Sequence, residues 1–206
     1  MDDPEPRWPA IAATLAIGGL YLALPSSMMV GPRWLLLVVV AALLVPLVVF
    51  HRTGKPHLNE VAAFVILGVI TTWMSLSLAL LVRGMFAHTE TPKALLLSAG
   101  ALWFTNILVF ACWYWRLDAG GPNARDRRGS HIDGAFLFPQ MSMEDEKDTW
   151  SPEFVDYLFL AFNTSTAFSP TDAPVLSRWA KVLMMLQSSI SVSTLTLLTA
   201  RAVNIL

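Results

Sequence analysis

Charge is scarce in this chain. Only 14% of its 206 residues are Asp, Glu, Lys or Arg, against about a quarter in soluble domains, and that excludes an ordinary solvated surface. Acidic and basic residues nearly cancel to a net charge of −1, so nothing electrostatic argues for nucleic acid as a partner. Cysteine is almost missing. Cys112 stands alone, which rules out an internal disulfide and a cysteine zinc site, and within its apolar run it reads as a small buried side chain. Histidine is sparse too. His51, His57, His88 and His131 fall in loops or at the edges of apolar runs, without ligand spacing. The HExxH, phosphate-loop and nucleophile-elbow patterns are absent. No catalytic residue, metal or cofactor is assigned, and the chain is read as not an enzyme.

What the chain does have is apolar length. Hydrophobic residues make up 55% of it, and four runs are long enough to cross a bilayer as helix, which takes roughly 20 residues. They are Ala10–Val30, Trp34–Phe50, Val61–Val82 and Ala94–Trp115. The leader Met1-Asp2-Asp3-Pro4-Glu5-Pro6-Arg7 is more acidic than basic and no small-residue cleavage site follows, so the first run is read as a retained span. Pro46 is expected to kink the second run. Trp8, Trp34, Trp113 and Trp115 sit near run ends, as interface anchors do. The fold class expected is all-α: a polytopic membrane helical bundle of four N-terminal spans (1–116), a polar loop (117–149) and a C-terminal hairpin of short helix, turn and long helix (150–206). The expected location is the cell membrane, multi-pass, with the lipid bilayer as partner.

The polar loop carries Gly120-Gly121-Pro122, the cluster Arg125-Asp126-Arg127-Arg128 and the apolar stretch Phe136-Leu137-Phe138-Pro139, which is expected to dip into the interface. After it, Ser151 is a candidate cap and Pro152 suits a first helical position. A short apolar helix follows, turning polar at Asn163–Thr166. The two prolines of Ser169-Pro170-Thr171-Asp172-Ala173-Pro174 then forbid regular helix. The last run, to Leu206, places Gln187, Ser191, Thr194, Leu198 and Arg201 on one face, expected to pack against protein or line a wet cavity rather than face lipid. Ser189, Ser193, Thr196 and Ala200 make a neighbouring small-residue stripe. Arg201 and Asp156 are the embedded charges. Arg201 either finds a partner or snorkels, and Asp156 is either functional or a charge suited to a helix start.

The stretch from Phe162 to Pro174, with Thr164, Thr166 and Asp172 at matching positions, resembles the pore loop of tetrameric potassium channels. Ala167-Phe168-Ser169-Pro170-Thr171 stands where that family has its glycine-containing filter. Ser, Pro and Thr do not readily supply the backbone that stacks carbonyls around a dehydrated ion, so no potassium-selective filter is expected. The residues from Trp113 to Asp118, with Gly120-Gly121-Pro122, Arg125, Phe138-Pro139-Gln140, Asp156-Tyr157-Leu158, Thr166–Asp172 and Ala200–Asn204, resemble a bacterial integral-membrane family of unknown function. That resemblance implies no activity. The pore-loop resemblance implies an ion or small-solute path, formed by a homo-oligomer, through Thr164, Ser165, Thr166, Ser169, Thr171 and Asp172; Gln187, Ser191 and Thr194 join these candidates from their helical spacing alone. A non-transporting scaffold or sensor is the alternative, and a lipid-modifying enzyme stands third.

Topology pulls two ways. With the N-terminus inside, the inner loops hold Arg7, Arg52, Lys55, Arg116, Arg125, Arg127, Arg128 and Lys147, and the outer ones Arg33, Arg83, Lys93, Arg178 and Lys181. This bias favours that orientation, with residues 154–169 crossing as a fifth of six spans. The alternative is a re-entrant hairpin, tolerated only where protein or water covers its backbone.

Overall fold

The computed structural model describes residues 5–87, 91–127, 134–144, 150–166 and 173–202. It is all-α. The helices are α1 (Trp8–Leu22), α2 (Leu35–Arg52), α3 (Pro56–Ala87), α4 (Pro92–Leu117), a single turn α5 (Pro122–Arg125), α6 (Phe154–Thr166) and α7 (Arg178–Ala202). Among the described residues the only extended pairing is one antiparallel bridge, Phe136 with Val175.

The second, third and fourth apolar runs become α2, α3 and α4, each long and apolar enough to cross a membrane, and α7 is the fourth helix of that kind. The first run behaves differently from expectation. Its helix stops at Leu22, because Pro25 cannot continue it, and a short 3-10 turn at Ser26–Met28 follows. At roughly 22 Å, from 1.5 Å per residue, α1 is shorter than a full span. Tyr21 fixes the turn beyond it by accepting from Val30 N at 2.6 Å. Pro46 lies inside an uninterrupted α2.

The core gathers around α4, which packs against α1, α3, α6 and α7. Its buried face runs from Leu95 to Trp115, whereas α2 and α7 keep most of their surface uncovered. That is expected in a bilayer, where apolar outer faces meet acyl chains rather than water.

The two C-terminal helices begin at the same end of the bundle. At the end of the bundle where α4 finishes, Phe154 of α6 packs on Trp115 with ring centroids 5.8 Å apart. At that same end Trp179 of α7 packs on Phe136. Leu137 N donates to Pro174 O at 2.9 Å and Leu176 N to Ala135 O at 2.8 Å. Helices α6 and α7 therefore start at one face and run inward side by side. By Pro174 the chain is back at the end of the bundle where α6 began, the geometry of the hairpin alternative. The described part of α6, 13 residues or roughly 20 Å, is shorter than a hydrocarbon core of about 30 Å. The Phe136–Pro139 stretch does not dip into the interface alone. It is built into the protein, with Phe136 and Phe138 buried against Tyr114, Tyr157 and Trp150.

Candidate functional site

Two buried polar assemblies hold the hairpin. The inner one centres on Gln187, fully buried at mid-length of α7. Its Nε2 donates to Ala161 O at 2.7 Å and to Ser165 Oγ at 2.8 Å, tying α7 to α6. Its Oε1 accepts from the Tyr114 hydroxyl at 2.5 Å, tying α7 to α4. One turn further in, Asn106 Nδ2 donates to Gln187 O at 3.2 Å and to Ser191 Oγ at 3.1 Å. Only Asn106 Oδ1 is left without a partner. In an apolar surround each unmet polar group is costly, so a side chain with both donor and acceptor ends is suited to this three-helix junction.

Of the residues singled out as a pore path, Ser165, Gln187, Ser191 and Thr194 come together here. All four are at most 1% exposed. They are buried within the chain, and Ser165, Gln187 and Ser191 take part in hydrogen bonds that link α4, α6 and α7. The expectation that the Gln187 face turns to protein holds for Gln187, Ser191 and Thr194. Thr164 and Thr166 spend their hydroxyls on the carbonyls of Leu160 and Phe162 in their own helix, and Thr164 O accepts from Ser188 Oγ at 3.2 Å. Ser169, Thr171 and Asp172, with the expected helix end between Phe168 and Thr171, lie outside the described residues, as does the Arg201 side chain. The closing helix begins at Arg178, as its proline boundary suggested. Asp156 takes the plainer of its two readings. Its Oδ2 accepts from Glu153 N at 2.8 Å while Asp156 N donates back to Glu153 O. This reciprocal cap starts α6 at Phe154, later than the Ser151-Pro152 signal implied.

The outer assembly sits where α4 ends and was not anticipated. After Leu117 the backbone turns through Ala119, Gly120 and Gly121, all at positive φ. Gly121 has φ 83°, and a Cβ there would stand 2.7 Å from Arg116 O, so only glycine fits without strain. Pro122 then opens α5, whose one turn swings Arg125 back beneath α4. Arg125 Nη1 donates to Trp115 O and Asp118 O at 3.0 and 2.9 Å, and Nη2 to Glu5 Oε2 at 2.9 Å. Its guanidinium lies over the Tyr157 ring, 5.1 Å from the centroid. Asp118, fully buried, accepts from the Tyr157 hydroxyl at 2.7 Å and from Ala135 N. Glu5 also accepts from Trp115 Nε1 and Arg7, and Arg7 pairs with Asp126. Partial burial pulls the Arg7 guanidinium below its ordinary pKa, against the pull of Asp126 and Glu5. The N-terminal leader, the polar loop and α6 are thus fastened together by charge. The sequence offered one clue, a Gly-Gly-Pro turn flanked by Asp118 and Arg125. It offered none for Glu5, more than a hundred residues away.

Among the described residues no group of three or more His, Cys, Asp or Glu is placed to hold a metal. The fold is an all-α bundle with four helices long and apolar enough to cross a membrane. No protein-family model matches the chain, and comparison with curated proteins and with solved structures yields no match either.

Proposed function

We propose that this chain is an ion or small-solute permeation protein whose path forms between copies of it, around the inner end of α6. One observation carries the reading: α6 and α7 begin at the same end of the bundle and run inward side by side. A half-helix ending inside the membrane presents unpaired carbonyls and the negative end of its dipole, an arrangement suited to a cation. Re-entrant backbone is tolerated only against protein or a water-filled cavity. Because Gln187, Ser191 and Thr194 are buried within the chain, the path is assigned to an oligomer. Val155, Phe159 and Phe162 of α6 are exposed in the single chain and supply an apolar surface for that assembly. The pore-loop resemblance, with its Thr171 and Asp172 and without the filter glycines, supports a path that does not select potassium.

The positive-inside rule orients it. With α6 and α7 starting at one face, the described residues place Arg7, Arg52, Lys55, Arg116, Arg125, Arg127, Arg178 and Lys181 at that face and Arg33, Arg83 and Lys93 at the other. Eight against three assigns the hairpin entrance to the cytoplasm.

A second reading, the non-transporting scaffold or sensor, is favoured by that same burial. Flux through liposomes containing the full chain, tested across several cations and anions, separates the two. Expected is flux above empty liposomes that changes when Thr166 or Asp172 is replaced, without potassium preference over sodium. Folded, oriented protein with no flux for any ion moves the assignment to the scaffold.

A further inference from the structure

A cleft of about 370 Å³ lies between α1, α2, α3 and α4. Its body is apolar, walled by Ile11, Leu44, Leu47, Ile66 and Leu67. Its rim carries Arg7, His51, Arg52 and Arg116 beside one carboxylate, Glu5, and the amide of Asn59, at the face where α2 and α4 end. The cleft thus has the polarity of an amphiphile with an anionic head.

Arg116 makes this more than a groove. It is only 6% exposed, yet among the described residues it donates no hydrogen bond and joins no ion pair. Its neighbours Arg7 and Arg125 each pair with a carboxylate, although Arg125 Nε is left without a partner among the described residues. Arg116 has the Trp115 ring, 5.1 Å from its guanidinium, and Arg7 lies over the same ring at 5.6 Å. Two cations on one indole, one of them unpaired and buried, call for an anion. The local carboxylate, Glu5, is committed to Arg7, Arg125 and Trp115, and Glu60 is exposed across a second, polar cavity of about 250 Å³ that Arg116 also borders. Arg52 at the rim is exposed and unpaired among the described residues. Burying a lone guanidinium is costly, and basic pockets between spans at the cytoplasmic side are where lipid phosphates bind.

We propose that this cleft holds one anionic phospholipid, with its phosphate on Arg116 and Arg52 and one acyl chain between α1, α2 and α3. The assignment is independent of whether the hairpin conducts. The test is native mass spectrometry of the full chain in neutral detergent. The probes are phosphatidylglycerol, phosphatidylcholine, oleate and inorganic phosphate. Expected is binding of phosphatidylglycerol about tenfold or more tighter than phosphatidylcholine, with no binding of phosphate alone. Arg116→Gln removes that preference, Ala63→Phe, which fills the cleft, removes binding, and Arg33→Gln at the opposite face changes neither. Should Arg116→Gln fail to fold, Arg52→Gln at the exposed rim carries the same test, with a loss of about threefold. Equal affinity for the two phospholipids, or preference undiminished in the arginine variants, overturns the proposal. Oleate binding as tightly as phosphatidylglycerol overturns the phosphate assignment.

Discussion

Gln187 Nε2 donates to Ser165 Oγ at 2.8 Å, deep between the last helix and α6. Both side chains stood on the face from which a pore lining was expected, and each satisfies the other. The contact fixes how far α6 enters beside α7, since Gln187 also binds Ala161 O one turn nearer the face.

Replacing Gln187 with Leu should therefore destabilise the fold. It strands the Tyr114 hydroxyl and Ser165 Oγ in a dry setting. The expected cost is about 1–3 kcal/mol, at the lower end because polar groups in membranes find substitute partners. Thermal unfolding in detergent measures it. Gln187→Glu, which keeps the acceptor for Tyr114 and loses the donor to Ser165, should be at least as damaging. An unchanged midpoint in both variants would show that the seam is incidental.

The Glu5–Arg125 pair should be strongly coupled. Arg125→Met leaves Glu5 short of a donor among buried neighbours, and breaking such a pair costs roughly 3–5 kcal/mol. Glu5→Gln in that background should recover part of the loss, since the stranded charge is gone. A double-mutant cycle checks this, and strict additivity of the two changes would refute it.

Gly121→Ala should weaken the loop's attachment. The added Cβ meets Arg116 O at 2.7 Å with φ at 83°, a strain of about 1–3 kcal/mol. Faster proteolysis within the 117–149 loop, with the α2 and α3 region intact, is the expected readout.

Topology can be read by side-specific thiol labelling in a Cys112→Ser background. Cysteines placed at Lys55, Glu144 and Arg178 should all label from one side, and those at Arg33 and Lys93 from the other. A fifth crossing between them would separate Arg178 from Glu144, so opposite labelling of those two positions defeats the re-entrant assignment.

The helical membrane class was legible in the sequence by itself. Backbone groups in hydrocarbon must pair internally, so long apolar runs have to be helices, and α2, α3, α4 and α7 follow from that. The inward turn of Gln187, Ser191 and Thr194 was legible for a related reason, since polar groups at helical spacing in an apolar helix seek protein. The direction in which residues 154–169 cross was not. A stretch barely long enough to span fits a crossing or a re-entrant hairpin equally by composition. What brings Pro174 back to the end of the bundle where α6 begins is long-range: the pairing of Ala135–Leu137 with Pro174–Leu176 and the aromatic packing around Phe136. The Glu5–Arg125–Asp118–Tyr157 assembly and the basic rim at Arg116 are likewise products of tertiary structure. They join residues from the leader, α4, α5 and α6 whose separation along the chain carries no periodic signal, and only folding gives those charges a common, dry environment in which they must pair.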